Sequence, residues 1–127
     1  FSVIMVDLDH FKQVNDRYGH VVGDVTLQQA AHALATHVRR VDLVGRFGGE
    51  EFLIVSPHTG VADAGRLAER LRAVLEVQEM PFAGRITASF GVAEWRAGES
   101  RAELVGRADA ALYRAKNEGR NLVRVQD

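Results

Sequence analysis

Leu43-Val44-Gly45-Arg46-Phe47-Gly48-Gly49-Glu50-Glu51-Phe52-Leu53-Ile54-Val55 sets two apolar, β-prone runs on either side of a Gly-Gly pair. Such a pattern predicts a β-hairpin, and a type I′ turn, with positive φ at both central residues, would explain why glycine stands there. Pro57 ends the second strand. Upstream, Leu27, Ala30, Ala31, Leu34, Ala35 and Val38 form one apolar helical stripe, with Arg39 and Arg40 at its end where cations suit the helix dipole. Further upstream, Ser2 to Val6 is a continuous apolar run that suits a buried central strand. A polar stretch from Asp9 to Asp24 separates the two. Downstream, Ala64, Leu67, Ala68, Leu71, Val74 and Leu75 predict a second helix, and Ile86 to Trp95 a strand. Val105, Ala108, Leu112 and Ala115 predict a third helix stopped by Gly119, before a last strand over Leu122 to Val125. The order β, α, β, β, α, β, α, β, with one hairpin, predicts an α+β fold with helices packed on a sheet.

The 127 residues suit one domain, on a prior of about 100–200 residues per domain. With 46% hydrophobic and 26% charged residues, the chain is neither disordered nor collagenous. A formal net charge of −1 argues against a general binder of nucleic-acid polymers or anionic membranes. The absence of cysteine removes disulfides, cysteine-ligated zinc and thiol nucleophiles. No apolar run approaches the roughly 20 residues of a membrane span. The start, Phe1-Ser2-Val3, lies within an apolar run and lacks both an initiator Met and a signal-peptide pattern, so the expectation is a fragment of a longer polypeptide.

Four groups of residues could carry chemistry. Alternation sends Asp7 and Asp9 to one side of the first strand's end, a hard-oxygen pair suited to Mg²⁺, although acids also simply terminate strands. Glu50 and Glu51 follow the Gly-Gly turn, where repulsion between neighbouring acids would favour a bound cation and bare glycines would admit phosphates; a solvated hairpin tip is the plainer alternative. Lys116 and Arg120 could clamp phosphates or merely offset a helix dipole. Asn15 and Asp24 could read a purine edge, or Asp24 could only cap a helix beginning at Val25.

Asp7-Leu8-Asp9-His10-Phe11-Lys12-Gln13-Val14-Asn15-Asp16, Tyr18-Gly19-His20, Gly23-Asp24, Gly48-Gly49-Glu50-Glu51-Phe52, Ala88-Ser89-Phe90-Gly91-Val92, the segment from Ala108 to Lys116 and Gly119-Arg120-Asn121 together resemble the GGDEF domain of diguanylate cyclases. The resemblance runs from Phe1 to the end. It lacks only the family's leading helix and T-G-L-x-N-R signature, so the expectation is one GGDEF domain over residues 1–127, truncated at its N-terminus. The resemblance implies a ferredoxin-like, palm-type, antiparallel-rich central sheet flanked by helices, with GGEEF on a hairpin turn. It implies condensation of two GTP into cyclic di-GMP and two pyrophosphates by an antiparallel homodimer, with Mg²⁺ or Mn²⁺.

By position, the resemblance makes Asp7 and Glu50 metal ligands, assisted by the Leu8 carbonyl. Glu51 completes the acidic site, at a second metal or by helping to deprotonate the 3′-hydroxyl. Asn15 and Asp24 would read guanine, Lys116 and Arg120 would hold the β- and γ-phosphates, Lys12 would neutralise phosphate charge, and Gly48 and Gly49 would let the phosphates approach. Arg39-Arg40-Val41-Asp42, just before the hairpin motif, matches the family's R-x-x-D inhibitory site for cyclic di-GMP, with Arg70 as a secondary contact. A cytoplasmic domain, in a protein with an N-terminal sensory or receiver domain and possible membrane attachment through it, is the corresponding expectation. The alternatives are a catalytically silent sensor of GTP or cyclic di-GMP, against which the intact acidic motif argues, and a pure dimerisation module.

Overall fold

The computed structural model describes residues 1–126. Its elements run β1 (Ser2–Leu8), α1 (Phe11–Tyr18), α2 (His20–His37), β2 (Leu43–Arg46), β3 (Glu51–Ser56), α3 (Val61–Val77), β4 (Glu79–Met80), β5 (Gly84–Arg85), β6 (Ala88–Glu94), α4 (Arg101–Asn117) and β7 (Val123–Gln126). Five strands form one sheet in the order β2-β3-β1-β6-β7. All its pairings are antiparallel except β6 with β7. This is the expected α+β architecture: a central, antiparallel-rich sheet flanked by helices.

β1 lies at the centre because all of it is buried. Its alternation divides the core between the two faces of the sheet. Ile4, Val6 and Leu8 join the main cluster with Leu34, Phe52, Leu71 and Phe90. Val3 and Met5 face the other way and pack with Ala93, Leu104, Ala108 and Leu112, on the side covered by α4. Asp7 continues the second series. It reaches the end of the strand on the α4 side, opposite Glu51 of β3 and Ser89 of β6. Gly91 allows α4 to rest directly on the sheet: a Cβ there would lie 2.1 Å from the Ala108 carbonyl oxygen and 2.4 Å from the Leu112 nitrogen.

The structure corrects several local expectations. The polar stretch from Asp9 to Asp24, where no element was expected, holds α1, which buries only Phe11 and Val14, too short a pattern to stand out from its polar neighbours. α2 starts at His20, where Gly19 turns the chain at φ +86°, so Asp24 lies inside the helix and caps nothing. α2 ends at His37 with Val38 as its C-cap, which leaves Arg39 and Arg40 beyond the helix. The hairpin forms, but Gly48 and Gly49 do not adopt left-handed backbone, so the turn is not type I′. It is closed instead by the Phe47 and Gly48 N–H groups, both donating to the Glu51 carbonyl at 2.8 and 3.3 Å. Arg46 braces it through Nε and Nη2 on the Gly49 carbonyl, at 3.1 and 2.5 Å. Ile86 lies outside the strand, which begins at Ala88, and a two-stranded ribbon of β4 and β5 precedes it.

Candidate active site

The ends of β1 and the hairpin are fastened to each other. The Leu8 N–H donates to the Glu50 carbonyl at 3.3 Å, and Asp7 pairs in register with Glu51. Asp7 and Glu51 therefore meet at one corner of the sheet, with the backbone of Glu50 tied to Leu8 beside them. α4 crosses this corner and brings Lys116, whose Nζ donates to Asp7 Oδ2 at 2.5 Å. Burial pushes the Asp7 carboxyl above its ordinary value and the Asp9 charge adds to that; the hydrogen bond and charge of Lys116 offset it only in part. Glu51 is also raised, first by burial and then by the charge of Asp7, with Asp109 and Glu50 adding and Lys116 opposing. Carboxylates crowded and dehydrated in this way attract a cation.

Asp9 is buried beside this corner with a separate set of partners. Its Oδ2 accepts from Thr87 Oγ1 at 2.7 Å and from the Asn121 N–H at 3.0 Å, and its Oδ1 accepts from Ser89 Oγ at 2.6 Å. Asp9 thus stays on the side of Asp7, near enough for its charge to raise the Asp7 carboxyl, but its oxygens are taken up by protein donors. Asp9 was visible to sequence reasoning as a carboxylate, but its partners lie far along the chain.

Arg120 follows α4 in a left-handed conformation, with φ +62°. Its Nη1 donates to the Lys116 carbonyl at 3.2 Å, so both cations share the C-terminal end of α4. α1 begins two residues after Asp9. Its N-cap, His10, stands at φ +56° and makes no side-chain cap, and its first turn carries no acid, so its first N–H groups are available to an anion. Lys12 is exposed in that same turn. Asn15 approaches α2 so closely that a Cβ on Gly23 would lie 1.9 Å from its Oδ1, and the exposed Asp24 follows on α2. Gly49 has no atom within 4 Å of the position a Cβ would take, so bare backbone faces outward at the hairpin tip.

Among the described residues, no three His, Cys, Asp or Glu side chains close around a metal ion. Mg²⁺ usually keeps water and substrate phosphates beside one or two carboxylates, and Asp7, Glu50 and the Leu8 carbonyl fit such a partial ligand set. Lys116 already marks Asp7 as a position that takes a positive charge.

Away from this corner, Arg39 and Asp42 are locked together. Asp42 accepts from the Arg39 N–H at 2.8 Å, from Nε at 3.1 Å and from Nη2 at 2.9 Å. Burial pushes the Asp42 carboxyl up, but those hydrogen bonds outweigh it and hold the group below its ordinary value. Arg39, Arg66, Arg70 and Thr59 line a cavity of about 310 Å³. Arg70 also donates to the His37 carbonyl at 2.9 Å. Asp42 is not part of the cavity wall, because its side chain is fully enclosed.

A five-stranded sheet in the order β2-β3-β1-β6-β7, with carboxylates at the end of its central strand and Lys116 and Arg120 at the C-terminal end of the helix that crosses it, is the class of α+β domain the structure defines. A family model described as "Diguanylate cyclase, GGDEF domain" matches residues 1–122. The chain is 44% identical over 128 residues to diguanylate cyclase VdcA of Vibrio cholerae, covering 96% of this chain and 38% of VdcA. It superposes with a TM-score of 0.93 on the GGDEF domain of DgcB from Caulobacter crescentus in complex with c-di-GMP, at 33% identity, covering 98% of this chain and 77% of that one. The active GGEEF domain of a diguanylate cyclase from Vibrio cholerae gives a TM-score of 0.92 at 35% identity, covering 99% of this chain and 82% of that one. The chain belongs to the GGDEF domain family.

Proposed function

We propose that this domain joins two GTP molecules into cyclic di-GMP, releasing two pyrophosphates, when two copies face each other antiparallel. The observation that carries the reading is the corner itself: Asp7 opposite Glu51, Leu8 tied to Glu50, and Lys116 on Asp7. Asp7, Glu50 and the Leu8 carbonyl would hold Mg²⁺ or Mn²⁺, which when bound neutralises charge developing on the triphosphate. Lys116, which here pairs with Asp7, would turn to a phosphate oxygen beside Arg120 once a divalent ion took its place on that carboxylate. Lys12 and the first N–H groups of α1 add positive potential on the other side. Asp24 accepts from the paired N–H donors of the guanine edge, and the Asn15 amide donates and accepts there. The 3′-hydroxyl of one nucleotide forms a bond to the α-phosphorus of the other, the α–β bond breaks, and pyrophosphate departs. Glu51, whose raised pKa suits a proton acceptor, helps to take the hydroxyl proton or to hold a second metal. One copy holds one nucleotide, so turnover needs the dimer, and catalysis combines positioning with electrostatic stabilisation.

The cavity beside Arg39 is the place for product inhibition. Arg39 and Arg70 would fork onto cyclic di-GMP, and Asp42 would accept guanine N–H donors once its fork with Arg39 opens. The solved complex of DgcB with c-di-GMP supports product binding by a domain of this fold. Among the described residues, no helix is long and apolar enough to cross a membrane. GTP as substrate places the domain on the cytoplasmic side, and the unmatched 62% of VdcA leaves room for a sensory or receiver domain in a longer protein.

The experiment is incubation of a dimer-forced fusion of this chain with GTP and Mg²⁺, followed by separation of the nucleotides. Cyclic di-GMP with pyrophosphate is the expected result. GTP that binds but stays intact would instead establish a silent sensor.

A further inference from the structure

Three consecutive residues after α4 take left-handed backbone: Gly119 at φ +132°, Arg120 at +62° and Asn121 at +51°. Arginine does not hold that conformation without support from its surroundings. The support comes through Asn121. Its N–H donates to the buried Asp9 at 3.0 Å, its Oδ1 accepts from Arg72 Nη1 at 3.0 Å, and its Nδ2 donates to Glu76 Oε2. Asp9 is in turn fixed to β6 and its approach by Ser89 and Thr87. Arg72 is fixed on α3 by Glu69, at 2.9 Å through Nε, and by Glu76 at 3.2 Å. The turn is thus fastened to the sheet on one side and to α3 on the other. Arg120 rides on it, with its N–H on the Ala115 carbonyl at 3.0 Å and its guanidinium on the Lys116 carbonyl.

We infer that Asp9, Asn121, Arg72 and Glu76 are positioning residues that aim Arg120 and Lys116 at the outer phosphates, an inference that rests on the nucleotide reading above. The polar atoms of Asp9 and Asn121 are already engaged by protein partners, so they act through the two cations rather than on the ligand. α3, which contributes no residue to the acidic corner, thereby sets affinity for a triphosphate. A monophosphate lacks the groups these cations hold and is indifferent to the clamp.

The test exchanges donor and acceptor across one contact. Asn121→Asp sets a carboxylate against Glu76; adding Glu76→Gln restores one donor and one acceptor with their roles reversed. Dissociation constants are measured by calorimetry with Mg²⁺ for guanosine 5′-[β,γ-imido]triphosphate and for GMP. Asn121→Asp weakens the triphosphate analogue about tenfold, the loss expected when a partly buried polar contact is broken, and leaves GMP within about twofold. The double variant returns the analogue to within about threefold of the wild type. Arg72→Gln shows the same split between the two nucleotides and carries the test if Asn121→Asp does not fold. Equal weakening of analogue and GMP, no change in either, or failure of the double variant to recover would each overturn the inference while leaving the nucleotide reading intact. A wild-type protein that binds neither nucleotide would overturn both.

Discussion

The two ends of α4 hold their charges in opposite ways. At the N-terminal end, Ser100 and Glu103 close a capping box, and Arg107 forks onto Glu99 at 2.5 and 2.7 Å. The Arg107 hydrogen bond, helped by the Arg96 N–H, holds the Glu99 carboxyl down at about 2. At the C-terminal end, Lys116 meets a carboxyl that burial pushes up, Glu51 is raised beside it, and the chain leaves through three left-handed residues. One end satisfies its charges within the protein; the other keeps acids dehydrated and crowded, with a single lysine among them. Such crowding works against folding and is what a cation-binding site requires.

The contrast breaks most visibly if neutralising the crowded end leaves activity in place. Asp7→Asn or Glu51→Gln is expected to lower cyclic di-GMP formation by on the order of 10³-fold, checked by product separation. Glu51→Gln should at the same time raise the melting temperature at pH 7. The folded carboxyl titrates above its ordinary value of 4.5, so its favourable contribution is present at low pH and disappears as pH rises through the folded value. The gain should therefore vanish near pH 4.

Gly91→Ala tests the seat of the helix midway between its ends. Its Cβ would meet backbone atoms of α4, not a side chain that can turn away, and urea unfolding should show a loss of about 3 kcal/mol. Glu99→Gln sharpens the comparison at the satisfied end. Glu99 titrates below its ordinary 4.5, so its contribution is present above that value and is lost as pH falls through about 2. The variant should be less stable than the wild type at pH 7, and the two should converge near pH 2 in urea unfolding. The smallest effect concerns the other tight pair: Arg39→Ala should raise the cyclic di-GMP concentration needed for half-inhibition by about tenfold, the loss of one forked charge contact.

What the sequence disclosed follows the reach of its signals. The buried run of β1, the hairpin and the stripes of α2, α3 and α4 are local periodicities, and each forms the element its pattern predicts, although α2 starts and ends earlier than its stripe suggested. α1 shows only two buried residues and β4 and β5 only two residues each, too few to register as a period. The glycines of the hairpin suggested a turn type because φ is glycine's commonest reason; here the backbone is ordinary and Arg46 braces the turn. Of the candidate site, the acids and cations stood in the sequence each beside a plainer alternative, and only the family resemblance joined them. The clamp of Asp9, Arg72 and Asn121 was not legible, because its contacts join residues 49 and 112 positions apart and no local pattern announces them.

The central claim is that Asp7 grips a divalent ion over a guanine triphosphate, and the most direct measurement is Mn²⁺ binding followed by electron paramagnetic resonance with guanosine 5′-[β,γ-imido]triphosphate present. Nucleotide-dependent Mn²⁺ binding in the wild type and in Glu99→Gln, lost in Asp7→Asn, is the result this account predicts. Equal Mn²⁺ binding in Asp7→Asn and the wild type would contradict it.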